Sequence, residues 1–183
     1  MNAKIYTRDG DGGSTRRLDG RVVRKSDTLV EAVGDIDELS SVIGLCLAEV
    51  KAGEEIRQAL IDVQNRLFQV GLALAACGTE KPGNVGLDDK CVADLERAID
   101  AAAEKLPPLQ HFIAPRGTEL AARLHVARSV SRRAERRVVA AADNGINVPP
   151  VVMQYLNRLS DFLFTLARLA NKLAGQSDTP MYA

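Results

Sequence analysis

The chain has 183 residues, enough for one domain that buries a sizeable core. Its 24 Lys plus Arg balance 24 Asp plus Glu, a formal net charge of zero, which excludes a protein that coats nucleic acid or lies on an anionic membrane; any anion it binds must be met by a local cluster. With 46% hydrophobic and 26% charged residues, four Phe, three Tyr and no Trp, the composition is that of a globular protein with an aliphatic core, a bias that favours helices.

Residues 1–27 are polar and rich in Gly, Asp and Arg, and helical periodicity begins at Thr28. The spacing Thr28-x-x-Glu31 suits a capping box, and Ile36, Leu39, Ile43, Cys46 and Val50 then recur on one helical face. A second amphipathic helix follows Gly53 on Ile56, Leu60, Val63, Leu67, Val70 and Leu74, with Gly78 placed as its C′ residue. The segment Lys81 to Gly86 reads as a loop. Asp88 or Asp89 can cap a third helix on Val92, Leu95, Ile99, Ala102 and Leu106, stopped by Pro107-Pro108.

A short link, His111 to Pro115, leads to a fourth helix that Thr118 opens and Gly145 closes, with Leu120, Leu124, Ala127, Val130, Ala134, Val138 and Ala141 inward. The fifth runs from about Val151 to Ala174 on Leu156, Leu159, Leu163, Leu166 and Ala170. No period-2 strand run and no internal repeat is visible. The expected fold is all-α: one up-and-down bundle of five helices, each of roughly 19 to 26 residues. A stripe on the first helix, Gly34, Asp37, Ser41, Gly44 and Ala48, lets another backbone approach closely, from the same subunit or from a second one.

Cys46, Cys77 and Cys91 are odd in number and lack metal-ligand spacing, so they read as reduced core residues in a cytosolic protein. The start, MNAKIYTRDG, has no apolar leader, and no apolar run approaches the ~18 to 20 residues that span a bilayer. A cytoplasmic location is expected.

Three segments carry candidate chemistry. Thr7-Arg8-Asp9-Gly10-Asp11-Gly12-Gly13-Ser14-Thr15 has glycines that let N–H groups converge, hydroxyl donors and flanking arginines, which suits a phosphate cradle; a flexible tail is the alternative. It is not a Walker loop. Between Arg116 and Arg137, seven arginines stand against Glu119 and Glu135, a local charge of +5. Arg128, Arg132 and Arg136 share one helical face with His125, and like charges so stacked repel. A polyphosphate, or a carboxylate such as Asp37 or Asp161, would answer them, as would solvent. On the fifth helix Asn157, Asp161 and Arg168 form a polar stripe. No Glu-x-x-His pair supports a di-metal site and no Ser/His/Asp arrangement is present, so the chain is better equipped to orient charged ligands than to attack them.

Five segments in order, KIYTRDGDGGST, VEAVGDIDELSSVIGL, HFIAP, LHVARSVSRRAERRVV and YLNRLSDFLFTLARLAN, resemble the PduO-type ATP:cob(I)alamin adenosyltransferases and span Lys4 to Asn171. The resemblance implies a five-helix bundle in a homotrimer with sites between subunits. It implies transfer of the 5′-deoxyadenosyl group of ATP to the cobalt of reduced cobalamin, with triphosphate released. The corrinoid is itself the nucleophile, which accounts for the missing protein nucleophile.

By the same resemblance Thr7, Arg8, Asp9, Gly10, Thr15, Arg16 and Lys25 form an N-terminal ATP loop that wraps the triphosphate with Mg²⁺. Arg132, Arg133, Glu135, Arg136 and Asn157 form the helical half of that site. Asp37 and Arg128 join neighbouring subunits near the corrin, and Phe112 displaces the lower axial ligand of cobalt. The implied units are residues 1–27 (ATP loop), 28–174 (bundle) and 175–183 (tail). A flavin-dependent reductase and an adenosylcobalamin-using enzyme are the implied partners. Departures from the family pattern are Asp9 beside the expected phosphates, Arg116 in the link, and Val33 and Ser40 on the first helix.

Overall fold

The computed structural model describes residues 4–51, 53–79 and 86–181. Residues 81 to 85 of the expected loop lie outside them. Five helices carry the fold: α1 (Thr28–Glu49), α2 (Glu54–Ala75), α3 (Lys90–Ala103), α4 (Glu119–Asp143) and α5 (Pro150–Leu173). Helices α1, α2, α5 and α4 pack in a ring, and α3 lies outside it against α5. The core is aliphatic as composition dictates: among its fully buried residues are Leu39, Ile43, Leu60, Leu67, Leu124, Leu159 and Leu163, with Tyr155 as a large aromatic member. Cys46, Cys77 and Cys91 are free and buried in it.

The expected helices are all present, with corrections at their ends. Asp27, not Thr28, caps α1, accepting from the Leu29 N–H at 3.0 Å. Glu31 does not complete a capping box because its carboxylate pairs with Arg137 at 2.9 Å. Helix α2 ends at Ala75, and Gly78 (φ +88°) turns the chain three residues later. Helix α3 has 14 residues and stops at Ala103 rather than Leu106. Its last turn tightens into three-residue bonds, Lys105 N–H to Ala102 O at 3.2 Å and Leu106 N–H to Ala103 O at 2.9 Å, ahead of the sterically restrictive Pro107. Thr118 caps α4 as expected, its hydroxyl accepting from the Ala121 N–H at 3.1 Å.

The N-terminal segment is not free of strands. Ser14–Arg16 (β1) and Val22–Arg24 (β2) pair antiparallel, with Ser14 opposite Arg24 and Arg16 opposite Val22. Three-residue strands are too short to show a period of two, which is why the pattern escapes a sequence reading.

Arg168 corrects the expected polar stripe. Asn157 and Asp161 are exposed, whereas Arg168 is 9% exposed and donates from Nε to Asp178 Oδ2 at 2.7 Å and from Nη2 to the Pro107 carbonyl at 2.7 Å. The α3–α4 link and the C-terminal segment cover this end of α5. They also pair with each other: Ala114 N–H donates to Thr179 O at 2.8 Å and Met181 N–H to Phe112 O at 2.7 Å.

Asn171, 2% exposed, fastens the link from beneath. Its Oδ1 accepts from the Thr118 N–H at 2.9 Å and its Nδ2 donates to Arg116 O at 3.1 Å. Gly117 (φ +133°) permits this, since a Cβ there would sit 2.1 Å from Asn171 Oδ1. Asn171→Ala strands a buried N–H and a carbonyl and should cost about 1–3 kcal/mol in urea unfolding. A change near zero would show that the link does not depend on Asn171.

Candidate active site

Helix α4 meets its two neighbourhoods with opposite electrostatics. On the side facing α1, Arg133 pairs with Glu38 and lies 3.6 Å from Asp35, and Arg137 reaches Glu31 at 2.9 Å and Asp35 at 3.7 Å. At its start Arg123 pairs with Glu119 at 2.6 Å and Glu49 at 3.6 Å. Arg128, Arg132 and Arg136 have no such partner among the described residues, and Arg132 and Arg136 are exposed. Arg128 is half-buried and its Nε has neither solvent nor a hydrogen-bond partner. Neither acid named as a possible answer supplies one: Asp161 lies 3.6 Å from Arg158, and the exposed Asp37 carboxylate makes no ion pair. Three arginines along one face therefore have no counter-charge among the described residues.

Beside Arg136 runs a groove of about 390 Å³ that His125 and Ser129 also line. His125, expected level with the exposed arginines, is 4% exposed and tilted against Phe164, with Nδ1 unpartnered. Its position falls between the polar face and the core. Across α4, Glu135 accepts from Asn157 Nδ2 at 2.9 Å, so two of the predicted site residues are already fixed against each other.

The Gly-rich segment folds as a hydrogen-bonded turn. Asp11 N–H donates to Arg8 O at 3.2 Å, Gly13 N–H to Gly10 O at 3.1 Å and Lys25 N–H to Gly13 O at 3.0 Å. Arg8 holds a left-handed backbone (φ +67°) with its guanidinium 5.6 Å from the Tyr6 ring centroid. Thr7 Oγ1 accepts from the Asp9 N–H at 3.4 Å, and Arg16 donates to Gly20 O at 3.0 Å. Lys25 folds over the turn, so a Cβ at Gly10 would lie 3.0 Å from its Nζ. Thr15 sits on β1 facing Val23. No hydrogen bond or ion pair joins residues 7–25 to Arg128, Arg132, Arg136 or Asn157. The two charged segments are thus not bonded to each other within the chain.

Phe112 is 88% exposed on the link, with its backbone held by Met181. On α1 the small-residue face is open: Gly34, Asp37, Ser41 and Ala48 are exposed, and only Gly44 is approached, by the Gln64 side chain 3.5 Å from where a Cβ would be. Apart from Gly44, the stripe is not packed inside the subunit.

A sequence profile of the family described as Cobalamin adenosyltransferase matches residues 5–170. The chain belongs to the cobalamin adenosyltransferases. It is 44% identical over 177 residues to the cobalamin adenosyltransferase of Cupriavidus metallidurans, covering 96% of this chain and 92% of that one. The corrinoid adenosyltransferase of Bacillus subtilis is 42% identical over 178 residues, covering 96% and 90%. The solved structure of a variant PduO-type ATP:corrinoid adenosyltransferase from Lactobacillus reuteri, complexed with cobalamin and ATP, superposes with a TM-score of 0.93 at 34% identity, covering 98% of this chain and all of that one. The five-helix bundle is thus the fold of that PduO-type structure as well.

The residues that the sequence reading missed are structural partners of the predicted ones: Asn171 and Asp178 behind the link, and Arg17 and Asp19 at the hairpin tip. Asn171 and Arg17 have partners more than 50 residues away, which no local spacing signals, whereas Asp19 pairs with Arg17 and Arg21 beside it in sequence.

Burial holds the His125 imidazole below its usual value of 6.5, Arg128 adds to this, and Asp178 opposes it. The folded protein therefore carries His125 neutral, while the unfolded chain binds a proton below about pH 6.5. Stability should fall as pH drops from that value through the folded-state pKa, and level off below it. His125→Leu should remove this part of the slope in thermal unfolding between about pH 7.5 and 5.5. Identical slopes in the two proteins would contradict it.

Proposed function

We propose that this chain transfers the 5′-deoxyadenosyl group of ATP to the cobalt of a reduced corrinoid, forming adenosylcobalamin or its analogue and triphosphate. The observation that carries the reading is the unneutralised Arg132 and Arg136 beside the neutralised Arg133 and Arg137 on one helix, in a family with a solved member that holds ATP and cobalamin. A triphosphate answers that face with bidentate, charge-assisted bonds. As the carbon–oxygen bond of ATP breaks, negative charge grows on the leaving triphosphate, and fixed arginines stabilise it there without reorganising. The corrinoid supplies the nucleophile, so the protein's part is binding, orientation and electrostatics.

In this reading Thr7, Arg8, Asp9, Gly10, Thr15, Arg16 and Lys25 close over the phosphates from the hairpin side. Arg132 and Arg136 meet them from α4, and Glu135 orients Asn157 toward the nucleotide. Arg133, committed to Asp35 and Glu38, supports the site by holding α4 on α1. Mg²⁺ enters with the nucleotide: among the described residues no group of three His, Cys, Asp or Glu side chains is placed to hold it, so phosphate oxygens, water and single groups such as Asp9 are its ligands.

Two half-sites that do not meet within one chain are completed by a neighbouring copy, and we assign the open stripe of α1 to that contact in a homotrimer. The half-buried, unpartnered Arg128 Nε and the unpaired Asp37 suit an ion pair across it. Phe112, exposed on a link that the tail braces, is an apolar wedge for the lower face of the corrin. Removing the axial ligand eases reduction of cobalt, so Phe112 acts through redox potential. Residues 1–27, 28–174 and 175–183 then serve as nucleotide loop, scaffold and tail of one domain. Three free, buried thiols fit a reducing compartment, hence the cytoplasm, with a flavin-dependent reductase as electron source and an adenosylcobalamin-using enzyme as recipient. Among the described residues no helix is long and apolar enough to cross a membrane.

The purified protein with MgATP and chemically reduced cobalamin should form the light-sensitive cobalt–carbon product and triphosphate; no product under anaerobic, reducing conditions would overturn the assignment. Arg132→Ala should lower kcat/KM for ATP about 100-fold or more, with the assembly unchanged in size on gel filtration. Unaltered kinetics would show that this face serves something else. Phe112→Ala should impair turnover that starts from cob(II)alamin far more than turnover from preformed cob(I)alamin. Equal losses would remove the axial-ligand role.

A further inference from the structure

The stretch from Pro107 to Thr118, which carries Phe112, is tied to α5 at both ends: by Arg168 at the first and by Asn171 at the second. The two ties differ in reach. Asn171 bonds only to this stretch, whereas the Arg168 guanidinium joins it to the tail. Its Nη2 donates to the Pro107 carbonyl at 2.7 Å and its Nε to Asp178 Oδ2 at 2.7 Å. Both partners are largely withdrawn from solvent, the Arg168 side chain 10% exposed and that of Asp178 16%. The second oxygen of Asp178, Oδ1, is buried without a hydrogen-bond partner, so among the described residues Arg168 supplies the hydrogen bond that this carboxylate has.

The residues after Asp178 carry that hold to the middle of the link. Ala114 N–H donates to Thr179 O at 2.8 Å, Ile113 and Pro180 form an antiparallel bridge, and Met181 N–H donates to Phe112 O at 2.7 Å. The Phe112 ring is 88% exposed, so packing within the subunit does not fix it and its place is set by its backbone. Between link and tail lies a cavity of about 410 Å³ that Leu106, Ile113, Arg168 and Pro180 help to line. The link thus has little packed behind it and leans on the Arg168 bridge. A group that keeps a ligand off a metal works by occupying space, and a displacement of about 1 Å caused from a distance can cost about 100-fold in rate.

We infer that Arg168 is a positioning residue for Phe112: by spanning Pro107 and Asp178 it holds link and tail together in the corrinoid-bound protein, where the Phe112 ring keeps the lower axial ligand off cobalt. Arg168 acts through the link and touches no reacting atom. The inference rests on the wedge reading of Phe112 and deepens it by naming what the ring leans on. It concerns geometry and not bulk stability, because a buried ion pair gives little net stabilisation over an apolar replacement. The fork matters as much as the charge, since the planar guanidinium faces a carboxylate and a carbonyl at once and a lysine ammonium is a point charge on a flexible stem.

The full chain loaded with MgATP and cob(II)alamin tests it. The share of bound cob(II)alamin that is four-coordinate, read from its electron paramagnetic resonance spectrum, should fall about tenfold in Arg168→Lys and in Asp178→Asn. Turnover from cob(II)alamin, with reduced flavin as electron donor, should fall by a similar factor, while turnover from preformed cob(I)alamin and the KM for ATP change less than about twofold. In a Phe112→Ala background, Arg168→Lys should add less than about twofold, because a residue that acts through another is not additive with it. An unchanged four-coordinate share in both variants overturns the role. So do equal losses from the two cobalt states, and so does a full effect on top of Phe112→Ala. A Phe112→Ala protein that keeps the wild-type four-coordinate share overturns the wedge reading itself and this role with it, whatever the Arg168 variants show.

Discussion

The molecule is organised around positive charge that the chain does not neutralise. Helix α4 turns Arg133 and Arg137 toward Glu31, Asp35 and Glu38 of α1, and those pairs fix how the two helices sit. The same helix leaves Arg128, Arg132 and Arg136 without a counter-charge. A run of unanswered arginines lowers the stability of the free protein by mutual repulsion, and in the function proposed above a bound triphosphate relieves it. The equal totals of acidic and basic residues conceal this segregation: Glu31, Asp35 and Glu38 of α1 answer one face of α4, and the other face has no acidic partner among the described residues.

Helix α5 makes that arrangement rigid. Buried from Thr165 to Asn171 all the way round, it supports α4 on one side and α3 on another, and its polar residues are placed where the chain must be tied down. Asn171 secures the start of α4 and the link, and Arg168 holds the C-terminal segment through Asp178. Phe112 is thus an exposed aromatic ring on a backbone that is bonded from two directions.

The helices were legible in the sequence because apolar spacing at three and four residues is a strong, local signal, and Leu39, Ile43, Leu60, Leu124 and Leu159 are buried as that spacing requires. The surplus of arginine on α4 was legible too, from counting alone. Which arginines would be answered was not, since residues 132 and 133 differ by one position in sequence and by about 100° around the helix, and their fates depend on α1. The caps show how far local rules reach: Thr118 caps α4 as its spacing predicts, whereas Asp27 caps α1 one residue before the expected Thr28 and Glu31 pairs with Arg137 instead. Arg168 was misplaced for a related reason, because only the folded link and tail decide which end of α5 solvent reaches. The two strands, three residues each, carry no periodicity to read.

The claim that an external polyphosphate completes the α4 face is tested most directly by calorimetric titration of the wild-type protein with MgATP and with MgAMP. Each charge-assisted hydrogen bond to the missing phosphates is worth about 1.5–3 kcal/mol, so MgATP should bind at least about 100-fold more tightly than MgAMP, and inorganic tripolyphosphate should displace it. Equal affinity for the two nucleotides would mean that Arg132 and Arg136 do not meet the phosphates.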